Sequence, residues 1–140
     1  TLQLGADWAG TLAAPLTVYL QGSLGAGKTT FTRGLLRGLG YAGAVKSPTY
    51  TIVESYILPQ FALHHFDLYR FASPEEWEDA GLDELFASDC VCLIEWPQQG
   101  GGFTPPADIT VSLNHTDGGR ACTLTAHTAN GRKSLEAWLN

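Results

Sequence analysis

Gly22-Ser23-Leu24-Gly25-Ala26-Gly27-Lys28-Thr29-Thr30 decides how this 140-residue chain is read. Two glycines separated by four residues, then a lysine and a hydroxyl residue, match the phosphate-binding P-loop pattern without a gap. The glycines let the backbone turn sharply, so that successive N–H groups point at one anion. Those amides and the positive end of a following helix cradle a phosphate, which a lysine at position 28 can reach. A hydroxyl at Thr29 suits the Mg²⁺ that bridges nucleotide phosphates. Chance alone gives the pattern in a chain of this glycine, lysine and Ser+Thr content about once in 200 sequences.

The flanking sequence agrees. Leu16-Thr17-Val18-Tyr19-Leu20 is an apolar run of strand length. Phe31, Leu35 and Leu39 recur at helical spacing, and Gly40 is the expected stop. Upstream, Leu4, Trp8, Ala9 and Leu12 predict a short amphipathic helix within Leu2–Ala13, ended by Pro15.

A P-loop site also needs a carboxylate at the end of a neighbouring strand. Leu63-His64-His65-Phe66-Asp67 and Val91-Cys92-Leu93-Ile94-Glu95 each close an apolar run with an acid. Ligands of open α/β sheets sit at the carboxyl ends of strands, so both acids can face the loop. The plainer reading is that one of them caps its strand or pairs with Arg70. Val45-Lys46-Ser47-Pro48-Thr49-Tyr50 occupies the place of a nucleotide-sensing loop, with Thr49 facing metal or phosphate; equally, its hydroxyls can satisfy their own turn. Trp96 is read as a stacking residue or as core. Arg120 is read as a phosphate contact or as an ordinary surface arginine. His64 and His65 face opposite sides of a strand, one of them core and neither a metal ligand. Cys90 and Cys92 share a face as small buried residues.

The remaining elements are expected as follows. Strands run over Ile52–Ile57, Phe61–Phe66 (ending at Asp67) and Cys90–Ile94 (ending at Glu95). A helix starts at Ser73 as N-cap, with Pro74 first and Glu76 closing a capping box. Gln98–Pro106 is a loop. Ile109–His115 and Ala121–His127 form a hairpin across Asp117-Gly118-Gly119, and Ser134–Leu139 forms a terminal helical turn. No repeat or linker divides the chain, which predicts one α/β domain over residues 1–140.

Composition narrows the function. A formal charge of −6 argues against free-standing nucleic-acid binding, which draws on a basic face. The three cysteines form neither a disulfide framework nor a zinc ribbon, which predicts a reducing, cytoplasmic setting. No apolar run approaches the roughly 18–20 residues of a membrane span. The chain contains no methionine, so Thr1 is expected not to be the translational start. No lysine is followed two residues later by aspartate, so a guanine-reading element is missing. Thr30 stands where the dinucleotide fingerprint needs a small third residue.

Taken in order, the P-loop residues 22–30, Val45–Tyr50, His65-Phe66-Asp67-Leu68-Tyr69-Arg70 and Leu93-Ile94-Glu95-Trp96-Pro97 resemble the motifs of the bacterial TsaE (YjeE) family, over nearly the whole chain. The resemblance implies a P-loop NTPase-like three-layer sandwich on a mixed, mainly parallel sheet with a C-terminal β-hairpin. It implies an ATPase supporting formation of threonylcarbamoyladenosine at position 37 of tRNAs that read ANN codons. Such a protein docks on the TsaB–TsaD complex and resets it through ATP turnover, without transferring the group or stably holding tRNA. Carried over, Leu24, Gly25, Ala26, Gly27, Lys28, Thr29 and Thr30 would hold the triphosphate, and Thr29 and Glu95 the Mg²⁺. Asp67 would assist water or metal as a second catalytic carboxylate beside Glu95. Trp96 would lie beside the site, and Arg120 would touch nucleotide. The family carries a further strand-bearing segment ahead of the first helix, with residues near adenine, which predicts native residues before Thr1. A small-molecule kinase built on the same loop is the alternative.

Overall fold

Two faces of one sheet hold the two halves of the core. The computed structural model describes residues 2–22, 27–86, 89–116 and 119–139. The chain runs α1 (Leu2–Ala9), β1 (Leu16–Gln21), α2 (Lys28–Gly38), β2 (Val53–Ile57), β3 (Ala62–Asp67) and α3 (Glu76–Asp79). It continues through a 3₁₀ segment (Leu82–Phe86), β4 (Cys90–Glu95), a second 3₁₀ segment (Pro97–Phe103), β5 (Ile109–Thr116), β6 (Gly119–Ala126) and α4 (Ala129–Leu139). The strand order is β2-β3-β4-β1-β5-β6. The inner strands β3, β4, β1 and β5 are parallel, and the edge strands β2 and β6 are antiparallel to their neighbours. This is the mixed, mainly parallel α/β fold with a terminal hairpin that the sequence predicts.

β4 is buried along its whole length because it is covered on both faces, which explains its unbroken apolar run. Val91 and Leu93 point to the side of α1 and α2, where they meet Trp8, Leu16, Val18, Phe31 and Leu35. Cys90, Cys92 and Ile94 point to the other side and pack with Phe66, Trp77 and Leu82. Burial pushes the Cys92 thiol pKa up, and the adjacent Cys90 adds to it, so these residues serve as small apolar filling.

α2 is set by its neighbours at both ends. Gly34 lies so close to the Leu2 carbonyl, and Gly5 to the Phe31 carbonyl, that a methyl group at either would collide with backbone. The α1–α2 approach therefore depends on these two glycines. At the far end, Gly40 takes φ 93°. Its N–H bonds the Arg37 carbonyl at 3.1 Å, while the Tyr41 N–H bonds the Leu36 carbonyl at 2.9 Å, a Schellman closure.

Several boundaries differ from the sequence expectation. α1 ends at Ala9, short of Ala13. β2 begins at Val53 rather than Ile52, because Ile52 takes φ 71°, a conformation no strand continues. β3 begins at Ala62, because the Phe61 carbonyl is used in a turn with the Leu58 N–H at 3.0 Å. α3 starts after Glu75 although Glu76 does reach back to the Ser73 N–H at 3.0 Å; residues 73–75 form turns instead of helix. Pro97–Phe103 winds into 3₁₀ turns where a loop was expected. α4 is longer than the expected terminal turn, since the Thr128 hydroxyl accepts the Gly131 N–H at 2.9 Å and starts the helix early. Asp117 and Gly118, at the tip of the expected hairpin, lie outside the described residues. Among the described residues no helix is long and apolar enough to cross a membrane.

Candidate functional site

The parallel register between β3 and β4 places Asp67 directly beside Glu95 at the carboxyl end of the sheet. Counting by twos, His65, Asp67, Leu93 and Glu95 share the face that carries α2. α2 begins just after β1, so its first turn arrives at the same end. Gly27 precedes it at φ 103°, a left-handed conformation that suits glycine. Among the described residues no side chain caps this helix, which leaves its leading N–H groups to be met by another acceptor.

The side chains converge on a cavity of about 370 Å³, within the range of small-molecule sites. Gly27, Lys28, Thr29, Thr30, Asp67, Glu95 and Trp96 all line it, joined by Ser47, Thr49, Tyr69 and Arg70. Leu24, Gly25 and Ala26 lie outside the described residues, as does the side chain of Arg120.

Lys28 and Glu95 form the centre. Lys28 Nζ is 3.2 Å from Glu95 Oε1, with both side chains buried. The other carboxylate oxygen, Oε2, lies 2.6 Å from His65 Nε2. Burial alone would raise the Glu95 pKa; the hydrogen bond and charge of His65, and then the charge and hydrogen bond of Lys28, outweigh it, holding this carboxyl below its ordinary value. An ionised carboxylate only accepts, so His65 Nε2 carries the proton and donates. Lys28 Nζ also stands 5.2 Å from the Trp96 ring centroid. Trp96 holds that place from a left-handed backbone, φ 56° and ψ 49°, and its ring lies 5.0 Å from Tyr69.

Asp67 is held differently. Its Oδ1 accepts the Tyr69 N–H at 2.9 Å, and its Oδ2 accepts the Thr49 hydroxyl at 3.3 Å. Thr49 in turn lies 2.8 Å from Ser47. The loop is tied in at Ile52, whose carbonyl accepts the Asp67 N–H at 2.8 Å. Asp67 and Arg70 form no ion pair; the Arg70 guanidinium instead lies over the Tyr50 ring at 4.2 Å. Thr49 therefore faces the cavity and the acid together, beyond serving its own turn.

The donor set fits a metal-bound nucleotide. A hydroxyl and a carboxylate are hard oxygen donors, and Mg²⁺ is usually held by one or two carboxylates together with substrate phosphates. An ammonium and an uncapped helix start face the same space. Among the described residues no three His, Cys, Asp or Glu side chains gather as a metal centre of their own.

His65 is the residue that sequence reasoning missed. The adjacent histidines looked like alternation on a strand, and both are in fact buried. The signal was its spacing: two residues before Asp67, it falls on the face of the acids.

Residues 1–122 match the family model of the threonylcarbamoyl adenosine biosynthesis protein TsaE. The chain is 50% identical over 125 residues to the tRNA threonylcarbamoyladenosine biosynthesis protein TsaE of Haemophilus influenzae, covering 89% of this chain and 79% of that protein. It is 52% identical over 108 residues to the protein of the same name from Bacillus subtilis, covering 76% of this chain and 67% of its relative. The crystal structure of Bacillus subtilis YdiB superposes with a TM-score of 0.80 at 31% identity, over 99% of this chain and 86% of that one. The glycine-rich sequence pattern ahead of α2, the paired strand-end acids and the fold thus occur together in a chain that belongs to the TsaE family, involved in tRNA threonylcarbamoyladenosine biosynthesis.

Proposed function

We propose that this chain binds ATP with Mg²⁺ and hydrolyses it, in support of tRNA threonylcarbamoyladenosine formation. It would act on the TsaB–TsaD complex rather than transfer the threonylcarbamoyl group itself. The observation that carries the ATP reading is the buried contact between Lys28 and Glu95, beside Asp67, in a cavity entered by the start of α2. The tRNA part of the reading is supported by membership of the family and by the names of the relatives. A net charge of −6 suits a protein that leaves tRNA to its partners. Three free thiols suit the cytoplasm.

In this reading the first amides of α2, together with Leu24, Gly25 and Ala26, hold the phosphates, and Lys28 leaves Glu95 to reach them. Arg120 supplies a further contact to the nucleotide. The Thr29 hydroxyl and the freed Glu95 oxygen are the groups that would hold Mg²⁺. The chemistry such a metal would supply when bound is neutralisation of charge on the phosphate oxygens. Asp67, fixed by the Thr49 hydroxyl and the Tyr69 N–H, would orient the attacking water. Trp96, with its ring 5.2 Å from the Lys28 ammonium, would flank the phosphates.

A small-molecule kinase is disfavoured by the arginines. Among the described residues only Arg70 lines the cavity, and Arg37 is spent on the Tyr41 and Gly43 carbonyls. The test is ATP hydrolysis with and without TsaB–TsaD. Stimulated turnover supports the reading; equal, negligible rates in both would overturn it.

A further inference from the structure

His65 is fully buried, yet its Nδ1 has no hydrogen-bond partner among the described residues. Its polar contact is the 2.6 Å bond to Glu95 Oε2. Its strand neighbours on this face include Leu63 and its register partner is Leu93, so a leucine at position 65 would continue the apolar surface and would lose only the bond to Glu95. Packing therefore does not account for a histidine here. His64 provides the contrast, since it faces the other side of the sheet and meets Ser55 at 2.7 Å.

We propose that His65 is the positioning residue of the site's carboxylate. Its Nε2–H fixes Glu95 Oε2, so that the second oxygen, Oε1, alone is presented to the cavity. Oε1 is the oxygen now on Lys28. Were Lys28 to turn to a phosphate, His65 would keep the carboxylate from following it, and Oε1 would remain available to a cation that Thr29 also helps to hold. Such outer partners orient a ligating group and remove the conformations that cannot bind. This inference rests on the Mg²⁺–nucleotide reading above, and its test separates the two.

The experiment is calorimetric titration of ADP, with and without Mg²⁺, into the unaltered chain and its variants. The quantity read is the gain in affinity that Mg²⁺ confers. His65→Asn puts an amide near the orphaned Nδ1 and short of Glu95; His65→Gln puts one near Nε2. His65→Asn should cut the Mg²⁺-dependent gain about tenfold and leave metal-free ADP affinity unchanged, while His65→Gln restores the gain. In a Glu95→Gln background, His65→Asn should change nothing further. His64→Ala is the control for lost packing: its melting temperature falls, and its Mg²⁺ dependence does not move. An unchanged Mg²⁺ gain in His65→Asn, failure of His65→Gln to restore it, or an equal loss in the Glu95→Gln background would each overturn the proposal. If His65→Asn does not fold, a Mg²⁺ gain lost in folded His65→Gln overturns it as well. Absence of ADP and ATP binding by the unaltered chain would instead overturn the nucleotide reading itself.

Discussion

Lys28 Nζ and Glu95 Oε1 lie 3.2 Å apart inside the protein, one at the first residue of α2 and the other at the last residue of β4. The contact joins the two elements that bound the cavity, and it gives the cavity a cation already desolvated. In the proposed reading a phosphate would compete with Glu95 for that cation, and the exchange would free a carboxylate oxygen for a metal ion.

Glu95→Gln removes one side of this pair and leaves a buried ammonium without its counter-charge. Breaking a buried pair on one side costs roughly 3 kcal/mol or more, which urea unfolding should register. Hydrolysis of ATP should fall on the order of 10²-fold, while nucleotide still binds because Lys28 is no longer divided. A variant with unaltered turnover would remove Glu95 from the reaction.

Trp96 reports on the same event. Its ring lies 5.2 Å from the Lys28 ammonium, so movement of that charge toward a phosphate changes the indole's surroundings. Saturating ATP should change the emission of the unaltered protein, and Trp96→Phe should abolish most of that change. A full response retained in Trp96→Phe would assign it to one of the other tryptophans.

Gly34→Ala tests what places α2. The added methyl meets the Leu2 carbonyl, so α1 must shift. The cost should be about 1–3 kcal/mol by urea unfolding, as for other overpacked contacts. An alanine at no cost would show that α1 is free to move away.

Much of this was legible in the sequence, for reasons that are local. The P-loop spacing, the apolar runs closed by Asp67 and Glu95, and the stripe of Phe31, Leu35 and Leu39 are each written in consecutive or near residues. Where reading failed, the cause lay elsewhere in the chain. Nothing near Ile52 announces a left-handed β-branched residue; the bonds to the Pro48 carbonyl and from the Asp67 N–H impose it. α4 starts at Ala129 because Thr128 is anchored on Asp108, 20 residues earlier, with its hydroxyl 2.7 Å from Oδ1. His65 acquires its role only when β3 and β4 pair in register.

His64 gives the fold a pH dependence. Burial lowers its pKa from the ordinary 6.5, so the folded state disfavours the charged ring. Between the lowered value and 6.5 the unfolded chain binds more protons than the folded one. Stability from this group is complete above 6.5 and declines as pH falls through that window, levelling below the folded value. Urea midpoints measured across this range should decline, and His64→Gln should flatten the decline. An equal slope in His64→Gln would assign it to another group.

Calorimetric titration of ATP with Mg²⁺ into the unaltered chain and into Lys28→Ala tests whether Lys28 and its surroundings form an ATP site. Saturable binding that Lys28→Ala abolishes is the predicted result. Undiminished affinity in Lys28→Ala would contradict it.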